Sequence, residues 1–183
     1  MWSSEVTNMI ITGIWETLYM TLVSTFAGYV IGLPMGIVLT VSDKDGIHPN
    51  ALVYKILDVI ANIVRSIPFI ILLVLLIPFT RFVVGKSYGS TATIVPLVIA
   101  AAPYIARMVE SSLKEVDAGV IEAARSMGAS NFTIITKVML VEARTSLLVG
   151  ATITLGTVLG YSAMSGAVGG GGLGAIAIRY GYT

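Results

Sequence analysis

Four long apolar stretches, separated by short polar segments, dominate the hydropathy pattern of the chain. They predict helices over Leu18–Val41, Ala51–Pro78, Thr91–Met108 and Asn131–Val168. The first is free of charge and would be about 36 Å long, enough to cross a hydrocarbon core of roughly 30 Å with some tilt. The uncharged part of the second, Ser66–Thr80, would reach only about 22 Å, so its charged first half must be covered by neighbouring helices or extend toward the headgroups. The pattern predicts an all-α membrane protein, a polytopic helical bundle with four spans.

Prolines and glycines lie where they affect how these helices run and pack. Pro34 predicts a bend or a local shortening of the first span, because proline removes a backbone hydrogen bond and clashes with the preceding turn. The same reasoning predicts kinks or interruptions in the second and third spans, at Pro68, Pro78, Pro96 and Pro103. Small residues recur at Gly28, Gly32 and Gly36, a spacing that we interpret as close packing against a neighbouring span of the subunit. The run Gly169–Gly172 predicts a turn or a re-entrant segment, since it continues a helix poorly.

Composition agrees with a chain whose solvent is lipid. Hydrophobic residues make up 56% and charged residues 11% of the 183 residues, too few charges to cover a soluble domain. The net charge of +1 gives no sign of nucleic-acid binding. With no cysteine, and with His48 as the single histidine, the sequence offers little for thiolate, histidine–metal or Ser-His-Asp chemistry. We therefore predict one transmembrane domain over residues 1–183, with no catalytic residues and no metal site.

The sequence does not support two familiar motifs, a phosphate-binding loop and a signal peptide. Gly85–Ser87 is similar to the end of a phosphate-binding loop, but Thr80 stands where that motif requires glycine. The segment also follows an apolar helix, so we interpret it as a chance match. The N-terminus carries Glu5 and Glu16 and lacks the basic region of a signal peptide, so the first membrane segment is expected to stay in the mature protein.

Positive charge is distributed unevenly between the two sets of loops. One set, with its flanks, carries eight of the eleven cationic residues: Lys44, Lys55, Arg65, Arg107, Lys114, Arg125, Lys137 and Arg144. The other set carries three: Arg81, Lys86 and Arg179. Because cytoplasmic loops are enriched in Lys and Arg, the first set is predicted to be cytoplasmic and the N-terminus to lie outside.

The longest polar stretch, residues 109–137, contains an alanine-rich segment at Asp117–Gly128. Asp117 is suited to cap a short helix, and Gly128 suits the left-handed position that ends one. Ser130 then offers a cap for the next helix. Glu122 and Arg125 are placed as an i,i+3 ion pair. The pattern predicts a helix too short to span the membrane, which is either an interfacial connector or a surface for a partner protein.

Glu122-Ala123-Ala124, followed after three residues by Gly128, resembles the cytoplasmic EAA loop of ABC importer permeases. In that family a leucine and a proline follow at a fixed spacing. Here Leu140 matches, whereas Val141 replaces the proline, and Asn131 also stands where many relatives have proline. These departures affect the start of the following helix and leave the docking core intact.

Other stretches resemble more narrowly the permease of methionine-import ABC transporters. They are Arg65–Leu73, Ile77–Arg81, Gly160–Gly174 and Ile178–Tyr182, within a resemblance that runs from Trp15 onward. The resemblance implies the fold of a type I ABC importer permease. Because that family has a fifth transmembrane helix after this point, four of five spans are expected in these 183 residues.

The resemblance also implies an assembly and a division of labour. A homodimeric permease in the bacterial inner membrane would work with two cytoplasmic ATP-binding subunits and an external methionine-binding lipoprotein. The loop over residues 109–131 would contact the ATPase, through Glu122, Ala123, Ala124, Arg125 and Gly128. ATP and magnesium would bind to the ATPase, so this subunit would need no cofactor and catalyse no reaction itself. Transport of D- or L-methionine would follow by alternating access.

For the substrate path, the sequence indicates the end of the fourth span. Tyr161, Ser162 and Met164 precede the glycine run, and a flexible thioether suits a pore constriction, although packing in a core is an equally ordinary use of methionine. Two alternatives stay open at this stage. One is an ABC importer permease for another amino acid or a small osmolyte, and the other is a channel or membrane scaffold without ATP coupling.

Overall fold

A computed structural model describes residues 3–181, and within this range the chain is all-helical. Its helices are α1 (Ser4–Ser42), α2 (Ala51–Ser66), α3 (Phe69–Leu75), α4 (Ile77–Val84), α5 (Ser90–Lys114), α6 (Ala118–Ser126), α7 (Asn131–Thr133), α8 (Leu140–Glu142), α9 (Arg144–Ser165) and α10 (Gly172–Gly181). A π-helical segment, Ile134–Met139, lies between α7 and α8, and a 3₁₀ turn, Gly166–Val168, follows α9. The predicted helical class is therefore confirmed.

Three helical segments of the described chain are long and apolar enough to cross a membrane: Ser4–Ser42, Ser90–Lys114 and Arg144–Val168. A fourth span results if α2 and α3 are counted together, although the chain bends by 102° between them. The bend falls at Pro68, which precedes α3 with φ −53° and ψ 134°, outside the helical region. The bend confirms the kink that the sequence predicted at Pro68. Pro78 lies in the first turn of α4, where the missing N–H costs no helical hydrogen bond.

The chain forms two compact units. The first unit contains residues up to Gly28, Ser66–Ala101 and the residues from Thr154 onward. The second unit contains Tyr29–Arg65 and Ala102–Ile153, and thus α2, α6, α7 and α8 with parts of α1, α5 and α9.

In the second unit, α1 and α5 pack with their backbones almost in contact. A Cβ atom added to Gly32 would lie 2.5 Å from the carbonyl oxygen of Ala102, and one added to Gly36 would lie 2.5 Å from that of Ala106. Only glycine allows this approach, because atoms at such a separation overlap. Packing of these glycines against a neighbouring span of the same subunit, as predicted, is confirmed.

The first helix differs from the prediction at its start. α1 begins at Ser4, well before Leu18. The predicted span started later because it excluded every residue up to the last charge before the apolar run, Glu16. In the structure Glu16 accepts a hydrogen bond of 2.6 Å from the backbone N–H of Gly172, so its charge has a partner within the first unit. The helix also continues through Pro34 to Ser42, and the alternative of a local shortening there is wrong.

The third span is also more regular than predicted. α5 runs without a break through Pro96 and Pro103 and extends past Met108 to Lys114, so the predicted interruptions are wrong. Buried apolar residues recur along it, at Leu97, Ala101, Ile105, Ala106, Val109 and Leu113. Their packing stabilises the helix against the loss of one hydrogen bond at each proline, as is common in membrane helices.

The predicted single helix over Asn131–Val168 is instead divided at Ala143, where ψ is 0°. Before this break, the wider π turn brings Ile134 and Met139, five residues apart, into the core with exposures of 0% and 3%. An α-helix would turn the second of these side chains away from the first, because five residues exceed one α-helical turn by more than a third. Burial of both side chains therefore accounts for the π segment.

The glycine run forms a turn in the first unit, as predicted. Gly169, Gly171 and Gly172 have φ of +81°, +83° and +72°, values that glycine adopts without strain. The turn leads into α10, whose first N–H groups find acceptors on α1. Gly172 N donates to Glu16 Oε2, and Leu173 N donates to the Thr17 hydroxyl at 2.9 Å.

Candidate functional site

The two ends of helix α6 and the start of the next helix lie at the residues that the sequence indicated. Asp117 Oδ1 accepts a hydrogen bond of 2.7 Å from Gly119 N and caps the start of the helix. Gly128 follows its end with φ +81°, in the left-handed region. Ser130 Oγ accepts from Thr133 N at 3.2 Å and starts the next helix. The predicted order of helix, tight turn and helix is therefore confirmed.

The residues of α6 divide into a covered face and a free face. Ala124 is buried, with 6% of its surface exposed, and the helix packs on the π-helical segment that follows it. Glu122 and Ala123 are exposed on this chain. Two large apolar side chains beside the helix, Met127 and Phe132, are exposed to 82% and 75%. Sequence reasoning missed these two, although an apolar residue within a polar turn is the signal that could have found them.

The predicted ion pair between Glu122 and Arg125 is absent. Within residues 3–181 the structure records no ion pair for Glu122, and Arg125 donates from Nη2 to the backbone oxygen of Ile47 at 2.8 Å. Ile47 belongs to the turn between α1 and α2. An exposed i,i+3 pair contributes only about 0.2–0.5 kcal/mol, so a well-placed backbone acceptor competes readily for the guanidinium.

A network of charged side chains connects α2, α5 and the turn between α1 and α2. Glu110, 5% exposed, accepts from Arg107 at 2.7 Å, from Lys114 at 2.8 Å and from the Tyr54 hydroxyl at 3.2 Å. Arg107 also pairs with Asp58. Because the buried carboxylate has three donors, its desolvation is compensated, and removal of one partner would leave charge uncompensated.

At its other end the network reaches the turn between α1 and α2. Lys114 Nζ lies 2.6 Å from Asp43 Oδ2. The hydrogen bond from Lys114 lowers the pKa of Asp43, against a smaller effect of burial that raises it. Asp43 is thus held as a carboxylate at neutral pH, and it fastens the turn to the end of α5.

The three residues predicted for the substrate path lie in different surroundings. The Tyr161 ring stacks on Phe69, with ring centres 4.5 Å apart and planes 7° from parallel. Ser162 is buried and donates a hydrogen bond of 2.8 Å to Leu159 O in its own helix. Met164 is 52% exposed, so packing in the core of this chain does not explain it. Their role in a substrate path stays a prediction.

The fold and the capped surface helix define a class of protein: an all-helical, multi-span membrane protein that presents a short polar helix between its spans. The chain belongs to the family described as binding-protein-dependent transport system inner membrane component, whose model matches residues 28–182. This membership confirms the resemblance to importer permeases and assigns the chain to the inner membrane.

Curated relatives and solved structures agree with this family. The chain is 46% identical over 181 residues to the probable D-methionine transport system permease protein MetI of Vibrio cholerae, covering 99% of this chain and 80% of that protein. It is 57% identical over 158 residues to the D-methionine transport system permease protein MetI of Escherichia coli K12, covering 86% and 73%. An inward-facing structure of the MetNI methionine ABC transporter matches with a TM-score of 0.97 and 55% identity, covering 99% of this chain and 84% of that one. An amino acid ABC transporter crystallised with histidines matches at 23% identity and a TM-score of 0.77, which shows a shared fold alone.

Proposed function

We propose that this chain is the transmembrane permease subunit of an ATP-driven importer that moves methionine across the cytoplasmic membrane by alternating access. The observation that carries the proposal is the match over 99% of the chain to the MetNI methionine transporter, at 55% identity. Relatives described as D-methionine permeases at 46–57% identity support the same substrate. The subunit is a translocation component without enzymatic activity, and ATP and magnesium bind to its partner.

The substrate is tested by uptake of radiolabelled methionine into proteoliposomes that contain the full complex and internal ATP. Unlabelled L-methionine and D-methionine are expected to compete, whereas other amino acids at the same concentration are not. Effective competition by an unrelated amino acid would assign a different substrate, and uptake without ATP would indicate an uncoupled channel.

For coupling, helix α6 would dock on the cytoplasmic ATP-binding subunit through the exposed residues Glu122 and Ala123, beside Met127 and Phe132. An exposed apolar pair next to a capped polar helix is typical of a docking surface. Ala124 and Gly128 would support this surface indirectly. Ala124 lies on the buried face of α6, and Gly128 follows the end of the helix with φ +81°. The assembly would comprise two permease chains, two ATPase subunits and an external binding lipoprotein, surrounded by membrane lipid.

A double variant tests the docking surface without disturbing the core. Glu122→Lys with Ala123→Asp changes only exposed positions, whereas a charge at Ala124 would be buried and would destabilise the subunit itself. The variant is expected to insert and fold normally but to lose copurification with the ATPase and ATP-dependent uptake. Lys86→Glu, an exposed charge reversal in the connection before α5, serves as the control and is expected to retain both. Wild-type association of the double variant would contradict docking through α6.

The proposed orientation places the turn after α1 and helix α6 in the cytoplasm and the connection after α4 outside. It rests on the excess of Lys and Arg in the first set of loops. Because the sequence contains no cysteine, single cysteines give a clean test. In intact cells a membrane-impermeant maleimide is expected to label Lys86→Cys but not Asp45→Cys, whose side-chain position is 82% exposed. The reverse labelling pattern would invert the orientation.

For the substrate path, Tyr161, Ser162 and Met164 remain our candidates, with Met164 the best placed. Its side chain is half exposed on a single chain, near the end of α9. A flexible, polarizable side chain at such a position suits a constriction that opens and closes. Met164→Ala is expected to change uptake without changing association with the ATPase.

A further inference from the structure

Arg125 lies within the segment that resembles the docking loop, but its guanidinium contacts the permease itself. Nη2 donates to the backbone oxygen of Ile47, a residue 78 positions away in the sequence. A cavity of 400 Å³ lies between the same two elements, lined by Gly46 of the turn and by Ala118 and Ile121 of α6. Apolar packing between the turn and α6 is therefore incomplete, which makes the Arg125 hydrogen bond a specific link between them.

The turn that receives this hydrogen bond is tightly folded. His48 N donates to Val41 O at 3.0 Å and Asn50 N donates to Ser42 O at 2.9 Å, so the turn folds back on the end of α1. Gly46 allows this, since a Cβ atom there would lie 2.5 Å from Thr40 O. A displacement of Ile47 therefore moves the end of α1 with it.

Charged side chains then join the turn to α5 and α2. Asp43 pairs with Lys114, Lys114 with Glu110, Glu110 with Arg107, and Arg107 with Asp58 of α2. All of these residues belong to the second unit. The network is continuous. Glu110 at its centre is 5% exposed and Lys114 is 42% exposed, so solvent screens the pair of Glu110 with Arg107 less than the pairs of Lys114.

We propose that Arg125 is a positioning residue: it transmits movement of α6 to the turn between α1 and α2, and the ion-pair network passes it on to α5 and α2. The proposal rests on the function proposed above, in which an ATPase moves α6. Without the Arg125 link, α6 would keep its covalent connections to α5 and α7 and its packing on the π-helical segment, but would lose this hydrogen bond to the turn between α1 and α2. An ATPase would then still bind and move α6, but part of that movement would be lost before it reached α1 and α2.

The test uses the full complex in proteoliposomes and compares Arg125→Met, which lacks the donor, with Arg125→Lys, which keeps a cationic N–H donor. Three quantities are measured: copurification of the ATPase, methionine transported per ATP hydrolysed, and hydrogen exchange at the His48 and Asn50 amides. Lys44→Met is the control, because Lys44 lies in the same turn with its side chain 84% exposed, and its ion pair is with Asp45, whose side chain is 82% exposed.

Arg125→Met is expected to retain the ATPase, to lower the transport-to-hydrolysis ratio by about threefold or more, and to speed exchange at the two amides. Arg125→Lys should recover most of the ratio, and Lys44→Met should match the wild type. Loss of the ATPase in Arg125→Met would overturn the proposal in favour of direct docking, and a ratio and exchange equal to wild type would also overturn it.

A second variant, Lys114→Met, interrupts the same route at the other end of the turn. If the link and the network act in series, Lys114→Met lowers the ratio, and the double variant with Arg125→Met is no worse than the more impaired single variant. Additive losses would overturn a single route. Hydrogen exchange does not depend on the transported substrate, so failure of methionine uptake by the wild-type complex would refute the proposed function and still leave the link testable.

Discussion

Replacement of Gly36 by alanine tests the close approach of α1 to α5 in the second unit. The added Cβ atom would lie 2.5 Å from Ala106 O and 2.6 Å from Val109 Cβ. Non-bonded heavy atoms prefer separations of about 3.5–4.0 Å, so the helices must move apart by roughly 1 Å. The obstructing atoms are a backbone oxygen and the first side-chain atom of a β-branched residue, neither of which rotates away.

Two opposing effects set the magnitude of the change. Overpacking of a close contact costs about 1–3 kcal/mol and occasionally more. Alanine gains about 1 kcal/mol of helix propensity over glycine. Because both nearest atoms are rigid, we expect the overpacking cost at its upper end, with a net loss of about 1–2 kcal/mol in the free energy of unfolding. Gly32→Ala should behave alike, since its Cβ atom would lie 2.5 Å from Ala102 O.

The assay is equilibrium unfolding of the purified permease in mixed micelles, followed by helical circular dichroism. Gly150→Ala is the matched control: it lies in the same unit, also in a helix, and its added Cβ atom would meet the mobile end of Met108 at 3.3 Å. That variant should be neutral or gain up to about 1 kcal/mol from propensity. If Gly36→Ala were as stable as Gly150→Ala, the argument from backbone contact would be refuted.

Two further predictions concern charged groups. Glu16→Ala removes the acceptor for Gly172 N and should lower the free energy of unfolding by about 0.5–2 kcal/mol in the same assay. Glu16→Gln keeps an acceptor and should lose less. Equal losses in the two variants would show that the acceptor is unimportant. The hydrogen bond from Lys114 lowers the pKa of Asp43 below 3.8, so its stabilisation is complete above that value and is lost as pH falls through the lower folded value. Thermal unfolding from about pH 2 to about pH 7 should therefore show a weaker loss of stability below about pH 4 in Asp43→Asn than in the wild type, and identical profiles would contradict the assignment.

Local chemistry explains why so much of helix α6 was predictable. Asp117, Gly128 and Ser130 act on residues one to three positions away, so their capping depends only on the neighbouring sequence. The family resemblance of the segment rests on the same few residues. Its predicted role in ATPase coupling remains a proposal, because docking depends on a surface of another protein.

Proline effects were less predictable, because each depends on what surrounds it. Pro68 falls at a sharp bend, whereas Pro96 and Pro103 lie inside an unbroken helix. The difference is one of packing: buried apolar residues recur along α5, and their contacts outweigh the strain that a proline introduces. Sequence alone contains the proline but not the neighbours that decide its effect.

By itself the sequence determined the helical class, the lipid environment and the ends of α6, because composition and hydrogen bonds between near neighbours set these features. Only the tertiary structure decided which distant group each charged side chain meets. Arg125 donates to Ile47 across 78 positions, instead of pairing with Glu122 as its spacing suggested, and Glu16 accepts from Gly172 across 156 positions. The physical reason is that a charged side chain near lipid needs a polar partner, and the packing of the helices determines which polar group lies within hydrogen-bond distance.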